Sequence, residues 1–361
     1  MKIKKLYYIY GLFWIIAAVF VTYYMFTPSI NTDSNIADNQ GQYIKGQIVE
    51  IENDAYTVHI LDGGKNAVKI NLSDLYFNED YKKGDKVSLY LTHLEDGNIQ
   101  YDIADYYHMN GLIFVFVIFC LLALLIARKK GLFSILSVVI SLGFFYLIIL
   151  NSVKIGSSLI LAGLVYVFLI TILTIPLIHG FNKKSLSAIF AVNIGYVIGF
   201  IITYVFTNIV QIGNTPSEEF RILFSQFPEV DIRQVLIVSL FIGAVGALID
   251  VAITICSAIF EGMKDNPELN FIRVYKLGMS VGKDILGSMI NTLLIAYVSA
   301  SLPFLVLMTL AKFNNIHEFL NYDFVALELS RILIGAASIV LLIPITSVIA
   351  SYLIVKKIRL F

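Results

Sequence analysis

Long apolar runs separated by short polar segments dominate the chain from near its start to near its end. Eight of them approach or exceed the roughly 20 residues a helix needs to cross a hydrocarbon core. They lie at about residues 7 to 26, 110 to 128, 131 to 150, 156 to 178, 185 to 208, 233 to 259, 284 to 311 and 328 to 355. The pattern predicts a polytopic α-helical membrane protein with about eight transmembrane helices. The first run follows Met1-Lys-Ile-Lys-Lys5 and ends in Phe26-Thr-Pro-Ser without a small-x-small cleavage site. It therefore reads as an uncleaved signal anchor.

Between the first two runs the periodicity changes. Thr27 to Gln42 is polar and rich in Asn and Asp, the composition of a tether. From Tyr43 onward, alternating segments at 47 to 51, 56 to 61, 67 to 72, 87 to 91 and 99 to 103 read as short strands. Asp62-Gly63-Gly64, Lys83-Gly84-Asp85 and Asp96-Gly97-Asn98 supply the turns. These predict a small extracytoplasmic all-β domain, a barrel or OB-like. The chain thus divides into a signal-anchor helix (1 to 26), a tethered β-domain (27 to 109) and a seven-helix transmembrane domain (110 to 361).

Composition supports a membrane location: 58% of residues are hydrophobic, 14% are charged and the mean hydropathy is +0.80. The formal net charge of zero gives no global field toward nucleic acid. The distribution of charge says more. Lys2, Lys4, Lys5, Arg128 to Lys130, Lys183, Lys184, Lys264, Arg273, Lys276, Lys283, Lys356, Lys357 and Arg359 fall on one side of an eight-span topology. The other side carries only Lys154, Arg221, Arg233 and Lys312 in its short loops, together with Glu218, Glu219, Glu229 and Asp231. The positive-inside rule then places both termini in the cytoplasm of the cell membrane and the β-domain outside.

Cys120 and Cys256 lie in apolar runs and read as small buried hydrophobes. The five histidines show no metal-site spacing, and no nucleophile or phosphate-loop motif occurs. The sequence predicts no catalytic residue, metal or cofactor.

The sharpest local feature is Gly246-Ala-Leu-Ile-Asp-Val-Ala-Ile-Thr-Ile-Cys-Ser-Ala-Ile-Phe-Glu-Gly262. Gly243, Gly246, Asp250, Thr254, Ser257 and Glu261 fall within about 60 degrees of one direction on a helix. In the next span Ser280, Asp284, Gly287, Ser288 and Asn291 do the same. Small residues suit a packing seam, which assigns Gly243, Gly246 and Gly287 to helix packing. A carboxylate within a span needs a partner, a cavity or a role. The two stripes therefore predict a polar seam between the sixth and seventh helices, with Asp250, Thr254, Ser257, Glu261, Asp284, Ser288 and Asn291 as candidates for transport or coupling. A structural network in which these groups satisfy one another is the competing reading. Asn193 in the fifth span, near Gly195 and Gly199, is expected to face the same interior. Glu328 and Arg331, one turn apart near the start of the last span, read as a structural ion pair.

These residues carry a resemblance. Gly243 to Ala258 with Glu261, Gly282-Lys-Asp-Ile-Leu-Gly-Ser-Met-Ile-Asn-Thr-Leu293, and Glu328-x-x-Arg331 with Pro344 resemble the YibE/F-like family of bacterial multi-pass membrane proteins. The leading anchor and the β-domain ending in Asp105-Tyr-Tyr match as well. The family's Asp-Tyr-Tyr is usually followed by a basic residue, and His108 stands there in this chain. The resemblance implies an architecture and carries over no catalytic residue.

Two functions compete on this reading. One is a permease or ion-coupled transporter for a small solute or ion. The other is a non-transporting scaffold or accessory whose β-domain binds a partner. Partners in either case are the lipid bilayer and a second membrane subunit or a second copy. An intramembrane hydrolase is disfavoured, because Asp250 and Asp284 form the only candidate pair and neither lies in a protease motif.

Overall fold

The structure is a computed structural model that describes residues 42–52, 55–61, 67–71, 81–93, 99–212, 230–310 and 315–355. The expected signal anchor and tether lie outside the described residues, as do Glu218, Glu219, Glu229 and the basic cluster after residue 355. The chain divides into two compact units at Leu132 and Phe133, so the first described helix groups with the sheet.

Five antiparallel strands form one sheet: β1 (Gln42–Glu52), β2 (Ala55–Ile60), β3 (Ala67–Asn71), β4 (Lys86–His93) and β5 (Ile99–Tyr106). Their order is β3-β2-β1-β4-β5. Strand β1 is long enough to serve two neighbours, pairing with β4 through its first half and with β2 through its second. A bulge between Ile48 and Glu50 bends it where it changes partner. β3 also lies against β5, so the sheet curls and its edges approach. Alternation puts Tyr56, Val58 and Ile60 inside with Ile48, Val87, Leu89 and Ile103. Gly46 lies between layers, where a Cβ would meet Val58 Cγ1 at 2.5 Å and Leu89 Cδ1 at 3.1 Å.

The helices are α1 (Met109–Ala127), α2 (Lys129–Phe144), α3 (Asn151–Ile155), α4 (Leu159–His179), α5 (Lys183–Val210), α6 (Ile232–Ile242), α7 (Val245–Asp265), α8 (Phe271–Ala300), α9 (Leu302–Leu310), α10 (Ile316–Leu320) and α11 (Asp323–Val355). A π-helical stretch, Phe145–Leu150, joins α2 to α3 into one run. Seven helical runs among the described residues are long and apolar enough to cross a membrane. The protein is a multi-pass membrane protein with a small N-terminal antiparallel sheet.

Local chemistry starts these helices. Ser158, Asn182, Asp231 and Asn270 each accept a hydrogen bond from a backbone N–H in the first turn of α4, α5, α6 and α8. One expected boundary is corrected. The span read at 284 to 311 is α8, which begins at Phe271 and ends at Ala300, while Leu302–Leu310 forms the separate helix α9. Arg273, Lys276 and Lys283 depress the local hydropathy, yet the Asn270 cap and the long packing contact with α11 hold the segment helical. Pro303 just inside α9 suits a new helix start.

In the second unit α7 is the central helix. Leu248, Val251, Ala252, Ile255, Cys256 and Ile259 are all buried. They pack against α5, α8 and α11. Lipid offers apolar surface everywhere, so association rests on close van der Waals fit. That fit is made by small residues. Gly195 and Gly199 of α5 receive Leu342 and Ser338 of α11, and Gly278 of α8 lies against Ile259 and Ser347. The buried hydroxyls of Thr174, Thr203, Thr207, Ser338 and Ser347 donate to carbonyls one turn back in their own helices. These hydroxyls are thus satisfied within their own helices, whereas those of Tyr196, Thr346 and Ser351 are buried with no partner among the described residues.

Candidate functional site

The stripe on α7 forms as its period predicts, but its surroundings differ from those expected. Asp250, Thr254 and Glu261 are exposed, as are Gly243 and Gly246, and Ser257 is half-buried. On α8 Ser280, Lys283, Asp284, Gly287, Ser288 and Asn291 are exposed. The two helices meet elsewhere. A Cβ at Gly278 would meet Ile259 Cδ1 at 2.7 Å, and one at Gly282 would meet Ile255 Cδ1 at 3.2 Å. Isoleucines seated on glycines form the joint, and this overturns the expected polar seam between the helices. The stripes point away from it, because Asp250 stands about 140 to 180 degrees round α7 from Ile255 and Ile259.

The packing glycines are corrected by the same geometry. Gly246 and Gly287 have open space where a side chain would lie, so neither packs against a described helix. Gly243 does make a close approach, to the hydroxyl of Tyr297.

The contacts also set depth. Ile259 opposite Gly278 and Ile255 opposite Gly282 define an antiparallel register. It puts Asp284 level with Ile253, and Asp250 level with Gly287. The two carboxylates therefore differ in depth by about 4.5 Å, three residues of helical rise. Glu261 belongs to another environment: Lys264 Nζ donates to its two oxygens at 2.9 and 3.0 Å.

The hydroxyls of both stripes are turned inward on their own backbones. Thr254 Oγ1 donates to the Asp250 carbonyl at 2.7 Å, and Ser288 Oγ donates to the Ile285 carbonyl at 2.9 Å. The side chains of Asp250, Lys283, Asp284 and Asn291 make no hydrogen bond or ion pair with any described residue. A self-satisfying network is therefore absent among the described residues. Asn193 is not part of this face. Its Nδ2 donates to Thr171 Oγ1 of α4 at 2.8 Å and to the Ile189 carbonyl at 2.9 Å.

A second polar group lies where α6 gives way to α7. The run from Ile232 to Asp265 is interrupted at Gly243 and Ala244. Tyr297 of α8 lies against the interruption, with the Arg331 guanidinium 5.6 Å from its ring centre. Arg331 Nη1 donates to Glu328 Oε1 at 2.6 Å. The Tyr297 hydroxyl and Glu328 Oε2 are buried with no partner among the described residues. Tyr297 escaped the sequence reading because its helix face is otherwise apolar. A tyrosine in the last turn of a span also suits an interfacial belt, so its position carried no distinguishing signal.

No group of three or more His, Cys, Asp or Glu among the described residues is arranged to hold a metal ion. Cys256 is buried in the core of α7 and Cys120 is partly exposed on α1; neither forms a disulfide.

The YibE/F-like protein family matches residues 115–356, two thirds of the chain and the whole of the polar face. The chain belongs to the YibE/F-like family. The matched segment runs from within α1 to the end of α11 and so contains Asp250, Asp284, Tyr297, Glu328 and Arg331. Searches of curated proteins and of solved structures found no match.

Proposed function

We propose that the protein is a permease or ion-coupled transporter that moves a small solute or ion past the polar faces of α7 and α8. It is read as a transport protein of a bacterial cell membrane and not as an enzyme. Its termini lie in the cytoplasm and its β-domain, OB-like in strand order, lies outside; the support is the asymmetry of Lys and Arg between alternate loops.

One observation carries the reading. Asp250 and Asp284 lie within membrane-crossing helices, are exposed, and lack any partner among the described residues. An ionised carboxylate facing hydrocarbon at mid-span costs roughly 2.5 to 3.5 kcal/mol on insertion scales. A water-lined or solute-lined face removes that cost and supplies a group able to bind a cation or proton. The interruption at Gly243 adds backbone polar groups one to two turns from Asp250.

The test is flux in vesicles carrying the full chain. Asp250→Asn keeps size and removes charge, so it should abolish coupled proton or cation movement while protein abundance stays normal. Normal flux in that variant would remove Asp250 from any coupling role.

A second reading is favoured by the β-domain. Tyr43 and Tyr90 lie on adjacent strands with ring centres 5.1 Å apart and ring planes tilted by 57°, and Tyr43 is 67% exposed. Exposed paired aromatics suit a protein contact. On this reading the protein is a scaffold, and Tyr43→Ser should eliminate partner capture without changing flux.

A further inference from the structure

Two membrane-crossing helices contribute little buried surface, and their compositions are opposite. An 18-residue stretch of α1 has mean hydropathy 2.9, a composition that suits lipid. The corresponding stretch of α8 has mean hydropathy 1.2, with 11% of it buried. Its packed side, Val274, Gly278, Gly282 and Leu293, is accounted for by α7 and α11. Its outward side carries Ser280, Lys283, Asp284, Gly287, Ser288 and Asn291. Hydrocarbon cannot pair these groups, so something polar covers them.

We propose that the outward face of α8 is the interface between two copies of this chain, across which Lys283 of one copy pairs with Asp284 of the other. Pairing withdraws Asp284 from any transport path, so the inference is compatible with the scaffold reading and with transport past Asp250 on α7 alone. Charge complementarity selects the occupant. In a two-fold pairing about an axis along the membrane normal, equivalent residues lie at equal depth. Lys283 and Asp284 differ by one residue of rise, about 1.5 Å, so each copy presents a cation level with the other's carboxylate. Neither group is engaged within its own chain among the described residues. The open space at Gly287 and the small side chains of Ser280 and Ser288 let a second backbone come close, which strengthens such pairs. The first apolar run, residues 7 to 26, is a poor alternative, since it holds no charged or amide side chain to answer Lys283 or Asp284.

The experiment uses full-length chains bearing two different tags, co-expressed in native membranes, with Cys120→Ala as background; Cys256 is buried. Ser288→Cys should give an oxidised species of about twice 40.4 kDa carrying both tags. Leu333→Cys, at an apolar position of α11 that is 59% exposed, should give at least about tenfold less. Lys283→Asp and Asp284→Lys should each reduce the Ser288→Cys dimer about tenfold, and the two together should restore it. Any of these results overturns the proposal: no excess of the Ser288→Cys dimer over the Leu333→Cys control, a product lacking the second tag, or failure of the charge exchange to restore the dimer. A monomer-sized product formed only when Ala17→Cys is added to Ser288→Cys also overturns it, and gives the face to the first apolar run.

Discussion

Gly282 and Gly287 lie on one helix and differ by what surrounds them, and that difference predicts opposite results for the same substitution. A methyl group at Gly282 enters the van der Waals space of Ile343 Cγ2, with Ile343 Cγ1 at 3.1 Å and Ile255 Cδ1 at 3.2 Å. Ile343 is β-branched and fully packed in α11, so it has few rotamers into which to retreat. Overfilling of this kind costs about 1 to 3 kcal/mol. Gly287 has nothing within 4 Å of the same methyl. Replacing glycine by alanine inside a helix also gains up to about 1 kcal/mol of intrinsic propensity, and that gain is common to both sites. Subtracting one variant from the other removes it and leaves the packing cost. Gly282→Ala should therefore be less stable than Gly287→Ala by about 1 to 3 kcal/mol. The assay is the apparent melting temperature of the full-length monomer in detergent, read as the fraction still monodisperse after heating. Equal melting temperatures, or a lower one for Gly287→Ala, would refute the assignment of Gly282 to the helix joint and of Gly287 to the open face.

Other outcomes follow from the same geometry. Arg331→Ala leaves a buried carboxylate without its partner and should cost about 3 to 5 kcal/mol, seen as lost folded yield, whereas Glu328→Leu with Arg331→Met together should recover most of it. Tyr297→Phe removes an unpartnered buried hydroxyl and should leave yield unchanged; a fall in flux without a fall in yield would give that hydroxyl a part in transport. Gly46→Val overfills the space between Val58 and Leu89 and should make the β-domain cleavable by protease at concentrations the native chain survives. The Glu52 carboxylate beside Lys69 raises its ammonium above the ordinary lysine value. Stability from that pair is present below the ordinary lysine range and is lost as pH rises through the raised folded value. Both side chains lie at the surface and are screened by solvent, so Lys69→Met should leave protease resistance at neutral pH unchanged.

Legibility in the sequence tracked how local each signal was. Four of the five strands sit close to where alternation placed them, because strand period is written within a few residues, whereas β1 begins at Gln42, five residues before the segment read at 47 to 51, in the half that pairs with β4. The two-faced character of α7 was legible for the same reason, since residues at i, i+3, i+4 and i+7 share a face whatever surrounds the helix. The start of α8 was not legible. Arg273, Lys276 and Lys283 give a hydropathy window the look of a loop, and only the cap at Asn270 and the packing on α11 make the segment a helix. Tyr297 was missed because its significance depends on Arg331, in a different helix.

What the sequence alone determined was the class of molecule and the chemistry of each helix face: membrane-crossing helices, a small β-domain, and carboxylates placed where hydrocarbon penalises them. These follow from periods of two and 3.6 residues and from the cost of charge in lipid. What tertiary structure decided was the environment of each face. Helix α7 has a large apolar side and a side of small and polar residues, α8 has glycines on both its packed and its polar side, and nothing within α8 says which of them meets its neighbour. Isoleucine fitting onto Gly278 and Gly282 settled that question through close packing between residues distant in sequence. The polar stripes were thereby turned outward, away from the joint between the two helices.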